Sequence, residues 1–280
     1  MENPDKNSGI KIKEGERLDN IGFADLRLLQ KPEEFCYGVD AVILADFAAS
    51  GGGRWEECGY RGSVYAADLG TGTGIIPVIL SHKIKAAEKI VGVEVQDGSF
   101  DRACRNVEIN QLQEKLVMVQ GDVSDKQLAD KVKHIVLEKA DISTGFKGFD
   151  IVTCNPPYTE GGKGLDGKNQ AKFIARTETT GTLEDFIRTA AALLKEKGDF
   201  YMVHRPSRLA DICCLCRKYR IEPKAMRFVS PAAAEIPNIL LFHGVLGGGR
   251  ELKIRQPLAV YETIDGKKDF SQEIKKIYER

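Results

Sequence analysis

The 280-residue sequence predicts an α/β fold with a mostly parallel sheet and an antiparallel edge. Short β-branched segments alternate with helical segments over residues 64–219, which is the pattern of βαβ units. The segment at residues 149–154 is apolar on both faces, as a strand buried between two layers of helices is. The last third reads instead as strands around residues 227–229 and 239–245 with a triple-glycine turn, which indicates the antiparallel edge.

The composition narrows the class of protein. Hydrophobic residues make up 42% of the chain, the mean hydropathy is −0.27, and no apolar run has transmembrane length. Since the N-terminal segment is polar, we expect a cytoplasmic protein with no membrane partner. The 41 basic and 41 acidic side chains cancel, so a nucleic acid would have to meet a local basic face. The seven cysteines are scattered and do not indicate a disulfide framework.

The chain before the first long strand is predicted to form an accessory layer. We expect residues 1–14 to be disordered and residues 15–62 to form strands and a helix packed on the core. Residues 17–30 suit two short strands across a bend. The helix is the apolar run at residues 41–49, and Asp40 stands where an N-cap residue would.

Residues 63–262 are predicted to form the main domain, and residues 263–280 a helical tail. Within the main domain a polar helix is expected inside residues 123–148. The other predicted strands lie at residues 64–68, 89–94, 116–119 and 199–203, and the other predicted helices at residues 75–81, 99–110, 183–195 and 206–219.

A glycine-rich turn follows the first of these strands. Gly70, Gly72 and Gly74 come directly after Asp68 and lead into a helix. Glycines at this position permit a tight turn and a close approach of the backbone to a ligand. The spacing is G-x-G-x-G, which differs from the G-x-G-x-x-G of dinucleotide-binding proteins. Asp68 would repel a pyrophosphate, whereas it could pair with an ammonium group.

Acidic residues follow the next two strands. Glu94 ends the second strand, where a carboxylate suits a ribose diol. Asp122 follows the third strand, where it could contact an adenine amino group. A cationic ligand with an amino acid, a ribose and an adenine is S-adenosylmethionine, which we therefore predict as the cofactor. The alternative, core architecture without a ligand, is disfavoured because the features occur in this order along the chain.

The fourth strand, residues 149–154, ends in the sequence NPPY. Two prolines fix φ and donate no hydrogen bond, so a stiff loop is predicted at the carboxyl end of the strand. The amide oxygen of Asn155 and the carbonyl of Pro156 both accept hydrogen bonds and could hold a planar amino group, while Tyr158 could stack on the attached ring. The loop carries no base, nucleophile or metal ligand, which suits a substrate amine that is itself the nucleophile. The alternative is a plain Pro-Pro turn.

The sequence resembles class I S-adenosylmethionine-dependent methyltransferases that carry an NPPY motif. Within that class it is similar to the bacterial tRNA(Val) adenine-N6 methyltransferase family over about residues 15–262. The segments that carry the resemblance read FCYGVDAV at residues 35–42, DLGTGTG at 68–74, NPPY at 155–158, VHRPSRL at 203–209 and QPLAVY at 256–261. Many amino-methyltransferases share the glycine and NPPY motifs, whereas the first segment and VHRPSRL point to this family.

The resemblance implies a methyltransferase domain with a Rossmann-like sheet of seven strands, the last antiparallel, and helices on both faces. It implies methyl transfer to the N6 amino group of an adenine in tRNA by Asn155, Pro156 and Tyr158. It also implies a set of cofactor-binding residues, namely Tyr37, Gly38, Asp40, Asp68, Gly70, Gly72, Gly74, Glu94, Asp122 and Asn155. Residues 235–238 depart from the family pattern and put the hairpin around them in doubt.

A basic stretch is the predicted RNA-binding face. Residues 202–228 carry seven basic against two acidic side chains, and the loop after NPPY adds further lysines. The residues we assign to RNA binding are Lys163, Lys168, Arg205 and Arg208. The alternative is a solvated helix face, which is the usual fate of a charge run.

Other functions were weighed against this prediction. A protein glutamine methyltransferase also uses NPPY, but little sequence precedes Asp68 for its substrate domain. Other RNA or DNA amino-methyltransferases, and an RNA-binding protein with a degenerate cofactor site, stay open. A nicotinamide dehydrogenase would leave NPPY without a role. Cys213, Cys214 and Cys216 lie on a predicted helix without a fourth spaced ligand, so we predict core thiols and no metal.

Overall fold

The computed structural model describes residues 11–34, 36–54, 59–139, 145–158, 181–264 and 266–279. The helices are α1 (Val39–Ala49), α2 (Ile75–Lys83), α3 (Asp97–Ile109), α4 (Leu128–Lys139), α5 (Leu183–Leu193), α6 (Leu209–Lys218) and α7 (Gln272–Glu279). The strands are β1 (Arg17–Asn20), β2 (Arg27–Gln30), β3 (Val64–Leu69), β4 (Ala87–Glu94), β5 (Leu116–Gln120), β6 (Phe149–Cys154), β7 (Leu194–His204), β8 (Ile221–Ala232), β9 (Ile239–Leu246), β10 (Lys253–Ile254), β11 (Leu258–Ile264) and β12 (Lys267–Phe270).

The main sheet has the strand order β5-β4-β3-β6-β7-β9-β8, extended by β11 and β12. Strands β3 to β7 are mutually parallel, and β9 runs antiparallel between β7 and β8. These seven strands confirm the predicted mostly parallel sheet with its antiparallel strand. Beyond them, β10 and β11 pair with β8 in parallel and β12 pairs with β11, so the described sheet is wider than predicted.

Helices cover both faces of the sheet, as predicted. On one face α1, α2 and α7 bury apolar side chains against β3 and β7. On the other face α4, α5 and α6 pack on β4, β5 and β6. All six residues of β3 are buried, which explains why that strand reads as continuously apolar up to Asp68.

The first strands form a hairpin that is bound to α3 by two asparagines. Asn106 Oδ1 accepts a hydrogen bond from Leu29 N at 2.6 Å, and Asn110 Oδ1 accepts one from Arg27 N at 2.8 Å. The asparagines lie four residues apart on one helix face, which matches a two-residue step along β2. Asn106 is fully buried, and its Nδ2 also donates to Thr73 O at 2.9 Å in the glycine turn.

The C-terminal segment packs on the same face as this hairpin. Ile274 and Ile277 of α7 are buried, and the ring of Tyr278 stacks on Phe23 with a centroid distance of 5.2 Å. Strand β11 runs across the boundary between residues 262 and 263 that the sequence suggested. The division into domains, including disorder at residues 1–14, stays a prediction.

Several local predictions need correction. The N-cap of α1 is Gly38, and Asp40 lies inside the first turn because the helix begins at Val39, two residues earlier than predicted. The predicted helix at residues 206–219 is a 3₁₀ turn, Pro206–Arg208, followed by α6. The doubtful hairpin is formed, since β8 and β9 pair and Asn238 N donates to Val229 O at 3.0 Å. Within the described residues, no helix is both long and apolar enough to cross a membrane.

Candidate active site

The glycine turn connects β3 to α2 at the carboxyl end of the sheet. Gly70, Gly72 and Gly74 have φ of +69°, +58° and +87°, a region that side chains with a Cβ disfavour. A Cβ on Gly70 would lie 3.2 Å from the Phe186 ring. At Gly72 no described atom lies within 4 Å of the position of a Cβ. The turn therefore leaves open space beside its backbone at Gly72.

Asp68 lies at the floor of this turn and is fully buried. Its Oδ1 accepts a hydrogen bond from the Thr153 hydroxyl at 2.6 Å, because β3 and β6 place these residues side by side. Its Oδ2 is also buried and has no hydrogen-bond partner within the described part of the chain. Burial raises the pKa of Asp68 to about 7, and the side chains of Thr153 and the nearby Thr71 oppose that rise. An unpartnered carboxylate oxygen at this place fits the ammonium group of the predicted cofactor.

Glu94 ends β4 and supports the turn. Its Oε2 accepts a hydrogen bond from Gly72 N at 2.8 Å, and its Oε1 accepts from Val95 N and Gln96 N at 3.1 and 2.9 Å. Sequence reasoning had assigned Glu94 only to the ribose and did not foresee that it holds the glycine turn. Asp122 follows β5, and its Oδ1 accepts from Ser124 N at 2.8 Å. Asp68, Glu94 and Asp122 thus stand at the ends of adjacent strands.

The NPPY loop follows β6, the strand next to β3. The hydroxyl of Tyr158 donates to Asp40 Oδ2 at 2.6 Å, and Asn155 Nδ2 lies 3.4 Å from the same oxygen. Burial and the Asp40 carboxylate raise the pKa of Tyr158 well above its ordinary value. Gly38 is needed here, because a Cβ on it would lie 2.8 Å from Asp40 Oδ1. The structure therefore joins the predicted Gly38–Asp40 segment directly to the NPPY loop.

Two residues of the VHRPSRL segment surround the ring of Tyr158. The guanidinium carbon of Arg205 lies 4.9 Å from the ring centroid, and the His204 ring lies at 5.4 Å with an interplanar angle of 61°. His204 is buried, and its Nδ1 accepts from Arg205 N at 2.8 Å. Arg205 Nη1 donates to Asn238 O at 3.1 Å in the β8–β9 turn. Sequence reasoning missed His204 and Asn238, although His204 stands beside Arg205 in a segment already singled out.

The other predicted residues are less closely tied to this site. Tyr37 N donates to the Gln30 side chain at 3.3 Å, and burial, with Tyr278 and Asp19 nearby, raises the pKa of its hydroxyl to about 12. Arg208 pairs with Asp211 at 2.7 Å. The predicted RNA contacts Lys163 and Lys168 lie outside the described residues.

No cluster suited to a metal ion is present among the described residues. No group of three or more histidine, cysteine, aspartate or glutamate side chains there could hold one. Of the three cysteines on α6, Cys216 is buried, Cys213 is half-buried and Cys214 is exposed. The prediction of core thiols is therefore wrong for Cys214, which lies on the outer face of the helix.

Comparison with known proteins agrees with this fold. The sequence model of a family described as ribosomal protein L11 methyltransferase (PrmA) matches residues 56–139. That match contains Asp68, the glycine turn, Glu94 and Asp122, and it ends before β6. It therefore concerns the half of the site predicted to bind the cofactor.

Curated relatives match a larger share of the chain. A Porphyromonas gingivalis (strain W83) protein named tRNA1(Val) (adenine(37)-N6)-methyltransferase is 25% identical over 206 residues, which is 73% of this chain and 72% of that protein. A Bacteroides thetaiotaomicron protein of the same name is 27% identical over 174 residues, 62% of this chain and 61% of that protein.

Solved structures show the same fold. A predicted O-methyltransferase from Agrobacterium tumefaciens superposes with a TM-score of 0.61 at 21% identity, over 86% of this chain and 95% of that one. TYW2 from M. jannaschii, in complex with AdoMet, superposes with a TM-score of 0.51 at 10% identity, over 84% of this chain and 87% of that one. At these identities the likeness supports the fold alone.

The fold, the strand-end carboxylates and the matched sequences together define the class of protein. The chain is a class I S-adenosylmethionine-dependent methyltransferase, as the sequence predicts. Within that class, it is similar over 73% of its length to proteins named tRNA1(Val) (adenine(37)-N6)-methyltransferase.

Proposed function

We propose that this protein transfers a methyl group from S-adenosylmethionine to the N6 amino group of an adenine in a tRNA. The observation that carries the proposal is the position of the NPPY loop. The loop leaves β6 beside β3, where Thr153 pairs with Asp68, so its two acceptors follow at the same carboxyl edge of the sheet as the buried, unpartnered oxygen of Asp68. The names of the relatives supply the acceptor, an adenine at position 37 of tRNA1(Val).

The cofactor-binding roles follow from the strand ends. Asp68 Oδ2 would accept from the ammonium group, and the backbone of Gly70, Gly72 and Gly74 would surround the methionine end. Glu94 would accept from the ribose hydroxyls while it holds the glycine turn, and Asp122 would contact the adenine. Tyr37, Gly38 and Asp40 would flank this site. The bound cofactor supplies an electrophilic methyl group.

On the acceptor side, the protein orients a nucleophile that the substrate brings. The target adenine would leave its stack and enter the site. Asn155 Oδ1 and Pro156 O would accept the two amino hydrogens, which increases electron density on the nitrogen. Tyr158 would stack on the base, an interaction worth roughly 1–3 kcal/mol. Most of the rate enhancement would then come from position and alignment.

The tRNA would bind across the carboxyl edge of the sheet. Arg205 lies over the Tyr158 ring of the NPPY loop, and Arg208 follows it in the VHRPSRL segment. With Lys163 and Lys168, these two arginines would contact phosphates. Arg205 would also back the ring of Tyr158, which leaves the opposite face of that ring for the base. We propose a cytoplasmic location, because that is where the protein would meet such a substrate.

The test is transfer of labelled methyl from S-adenosylmethionine to total tRNA, total rRNA and total protein, followed by nucleoside analysis. We expect N6-methyladenosine in tRNA. Asn155→Ala should lower turnover by at least about 100-fold, because it removes one of the two amine acceptors, and should leave cofactor affinity intact. Label in protein alone would favour the glutamine methyltransferase, and wild-type turnover in Asn155→Ala would contradict the proposed role of the loop.

A further inference from the structure

The carboxylate of Asp40 is placed to control the loop that holds the acceptor amine. It lies in the first turn of α1, and Oδ1 accepts from Ala41 N at 2.9 Å. Oδ2 accepts from the Tyr158 hydroxyl at 2.6 Å and faces Asn155 Nδ2 at 3.4 Å. One side chain therefore touches both polar side chains of the NPPY loop.

The chemistry of a carboxylate fixes which way the Asn155 amide points. An ionised carboxylate only accepts hydrogen bonds, whereas an amide has one face that donates and one that accepts. If the Asn155 amide were turned over, its oxygen would face Asp40 Oδ2 at about the same 3.4 Å, with no proton between them. Asp40 therefore favours the orientation in which Asn155 Oδ1 points away from it and is free to accept from a substrate amine.

We propose that Asp40 is a positioning residue for methyl transfer: it selects the acceptor orientation of Asn155 and fixes the ring of Tyr158 through its hydroxyl. This inference rests on the proposed function, because it assigns a consequence to Asn155 and Tyr158 in that reaction. It differs from the role of Asp40 as a cofactor neighbour. The hydrogen bonds described for its carboxylate go to Ala41, Tyr158 and Asn155, and none goes to the glycine turn.

Two residues of the VHRPSRL segment also contact the ring of Tyr158. Arg205 covers the ring at 4.9 Å, and His204 contacts it at 5.4 Å. Arg205 is itself bound to Asn238 O at 3.1 Å. The hydroxyl bond to Asp40 fixes the long axis of the ring, and Arg205 and His204 restrict rotation about that axis, so a stacked base would meet the ring at a defined angle.

The first experiment separates positioning from cofactor binding. Asp40→Asn keeps the shape of the side chain but replaces a carboxylate, which only accepts hydrogen bonds, with an amide, which can also donate them. We expect kcat on tRNA to fall about 10- to 100-fold, the cost of a misplaced reacting group, while the Kd for S-adenosylmethionine measured by calorimetry stays within about twofold. Asp130→Asn, an exposed carboxylate on α4, is the matched control and should change neither value. A Kd for S-adenosylmethionine that rises in step with the loss of kcat would overturn the proposal and make Asp40 a cofactor ligand.

The second experiment exchanges the carboxylate at position 40 with the amide at position 155. In Asn155→Asp two carboxylates face each other, so we expect a loss of kcat at least as large as in Asp40→Asn. In the double variant Asp40→Asn with Asn155→Asp, the amide at position 40 can donate to one oxygen at position 155 and leave the other free to accept the amine. We expect kcat to recover at least about fivefold over the worse single variant. A double variant no faster than that single variant would overturn the proposal.

A third measurement needs no substrate and keeps this inference separate from the proposed function. The Tm values of Asp40→Asn, Tyr158→Phe and their combination test the contact alone, and we expect a combined fall smaller than the sum of the single falls. If the combined fall in Tm equalled the sum of the two single falls, the contact between Asp40 and Tyr158 would be contradicted. If the Tm values show coupling and the wild-type protein methylates no tRNA, the proposed function fails while the Asp40 contact stands. If tRNA is methylated and the exchange gives no recovery, only the positioning role fails.

Discussion

At the level of single residues, Asp68 has a buried carboxylate that is only partly hydrogen-bonded. One carboxylate oxygen is bonded to Thr153 and the other is buried without a described partner. Burial of this kind disfavours the ionised form, which is why the pKa of Asp68 rises to about 7. A cationic ligand reverses that penalty when it pairs with the carboxylate.

The raised pKa of Asp68 predicts a pH-dependent cofactor affinity. The ammonium group needs the ionised carboxylate, so at a pH below about 7 binding must first remove a proton from Asp68. We expect the Kd for S-adenosylmethionine to be about tenfold higher at pH 6 than at pH 7.5, since each pH unit below the pKa costs a factor of ten. Calorimetric titrations across this range would measure it.

Asp68→Asn is the control for that prediction. It should bind S-adenosylmethionine weakly at every pH in this range, and its Kd should no longer change with pH. A wild-type Kd that is flat from pH 6 to pH 7.5 would contradict the assignment of Asp68 to the ammonium group.

Asp40 shows where single-residue rules fail. Aspartate before an apolar helix is a common N-cap, and the sequence offered no reason to expect otherwise. In the structure the helix begins at Val39 and Gly38 is the N-cap, while one Asp40 oxygen is bonded to Tyr158, a residue 118 positions further along the chain. A local rule cannot include a partner that only the tertiary fold supplies.

At the level of elements, α3 connects the N-terminal hairpin to the cofactor-binding turn. Asn106 bonds to Leu29 N, Leu29 O and Thr73 O, at 2.6, 3.3 and 2.9 Å. It is fully buried, so water cannot replace those bonds. The hairpin and the glycine turn therefore share one anchor.

Loss of the Asn106 side chain should lower the free energy of unfolding more than loss of the Asn110 side chain. We expect Asn106→Ala to lower the free energy of unfolding by about 2–4 kcal/mol, because it leaves buried backbone groups unpaired. Asn110→Ala is the matched control. It removes similar bonds to Arg27 at a half-buried position and should cost only about 1 kcal/mol. Urea unfolding of both variants would decide, and equal losses would contradict a dominant role for Asn106.

The elements that carry the site were the most predictable ones. The strand at residues 149–154 has the observed bounds of β6, since its β-branched apolar run ends at two prolines. By contrast, β11 and β12 were missed. The sequence KKDF of β12 is short and charged, and it forms a strand because β11 offers an edge to pair with. Pairing with β11, the strand directly before it in the chain, needs no apolar periodicity in KKDF.

At the level of the whole molecule, a buried polar network joins the segment before β3 to the middle of the sheet. The Asp199 carboxylate accepts from the Tyr60 hydroxyl at 3.0 Å and from Arg54 Nη2 at 3.3 Å, and it lies 2.6 Å from His243 Nε2. His243 stacks on the ring of Tyr201 at 4.6 Å. Asp199 belongs to the first half of β7, so the network is separated along the strand from His204 and the NPPY loop.

This network predicts a loss of stability in acid. Burial lowers the pKa of His243 in spite of the Asp199 carboxylate, so the folded state favours the neutral ring. The unfolded chain therefore binds the proton more readily, and the stability contributed by neutral His243 is lost as the pH falls below about 6.5. We expect Tm to fall more steeply between pH 7.5 and pH 5.5 in the wild type than in His243→Gln.

His134→Gln is the matched control for the acid effect, because the His134 side chain is 73% exposed. Its Tm should follow the wild-type pH profile. If His243→Gln followed that profile as well, the buried ring would not be the group responsible.

The open oxygen of Asp68 has a consequence for the abundance of the protein in a growing cell. A ligand that binds only the folded chain withdraws molecules from the unfolded pool, which proteases degrade. Because the empty site holds a buried carboxylate oxygen without a described partner, donor-loaded molecules should outlive empty ones. A cell that runs short of methyl donor would thus lose copies of the enzyme as well as its turnover, and tRNA modification would respond to starvation twice.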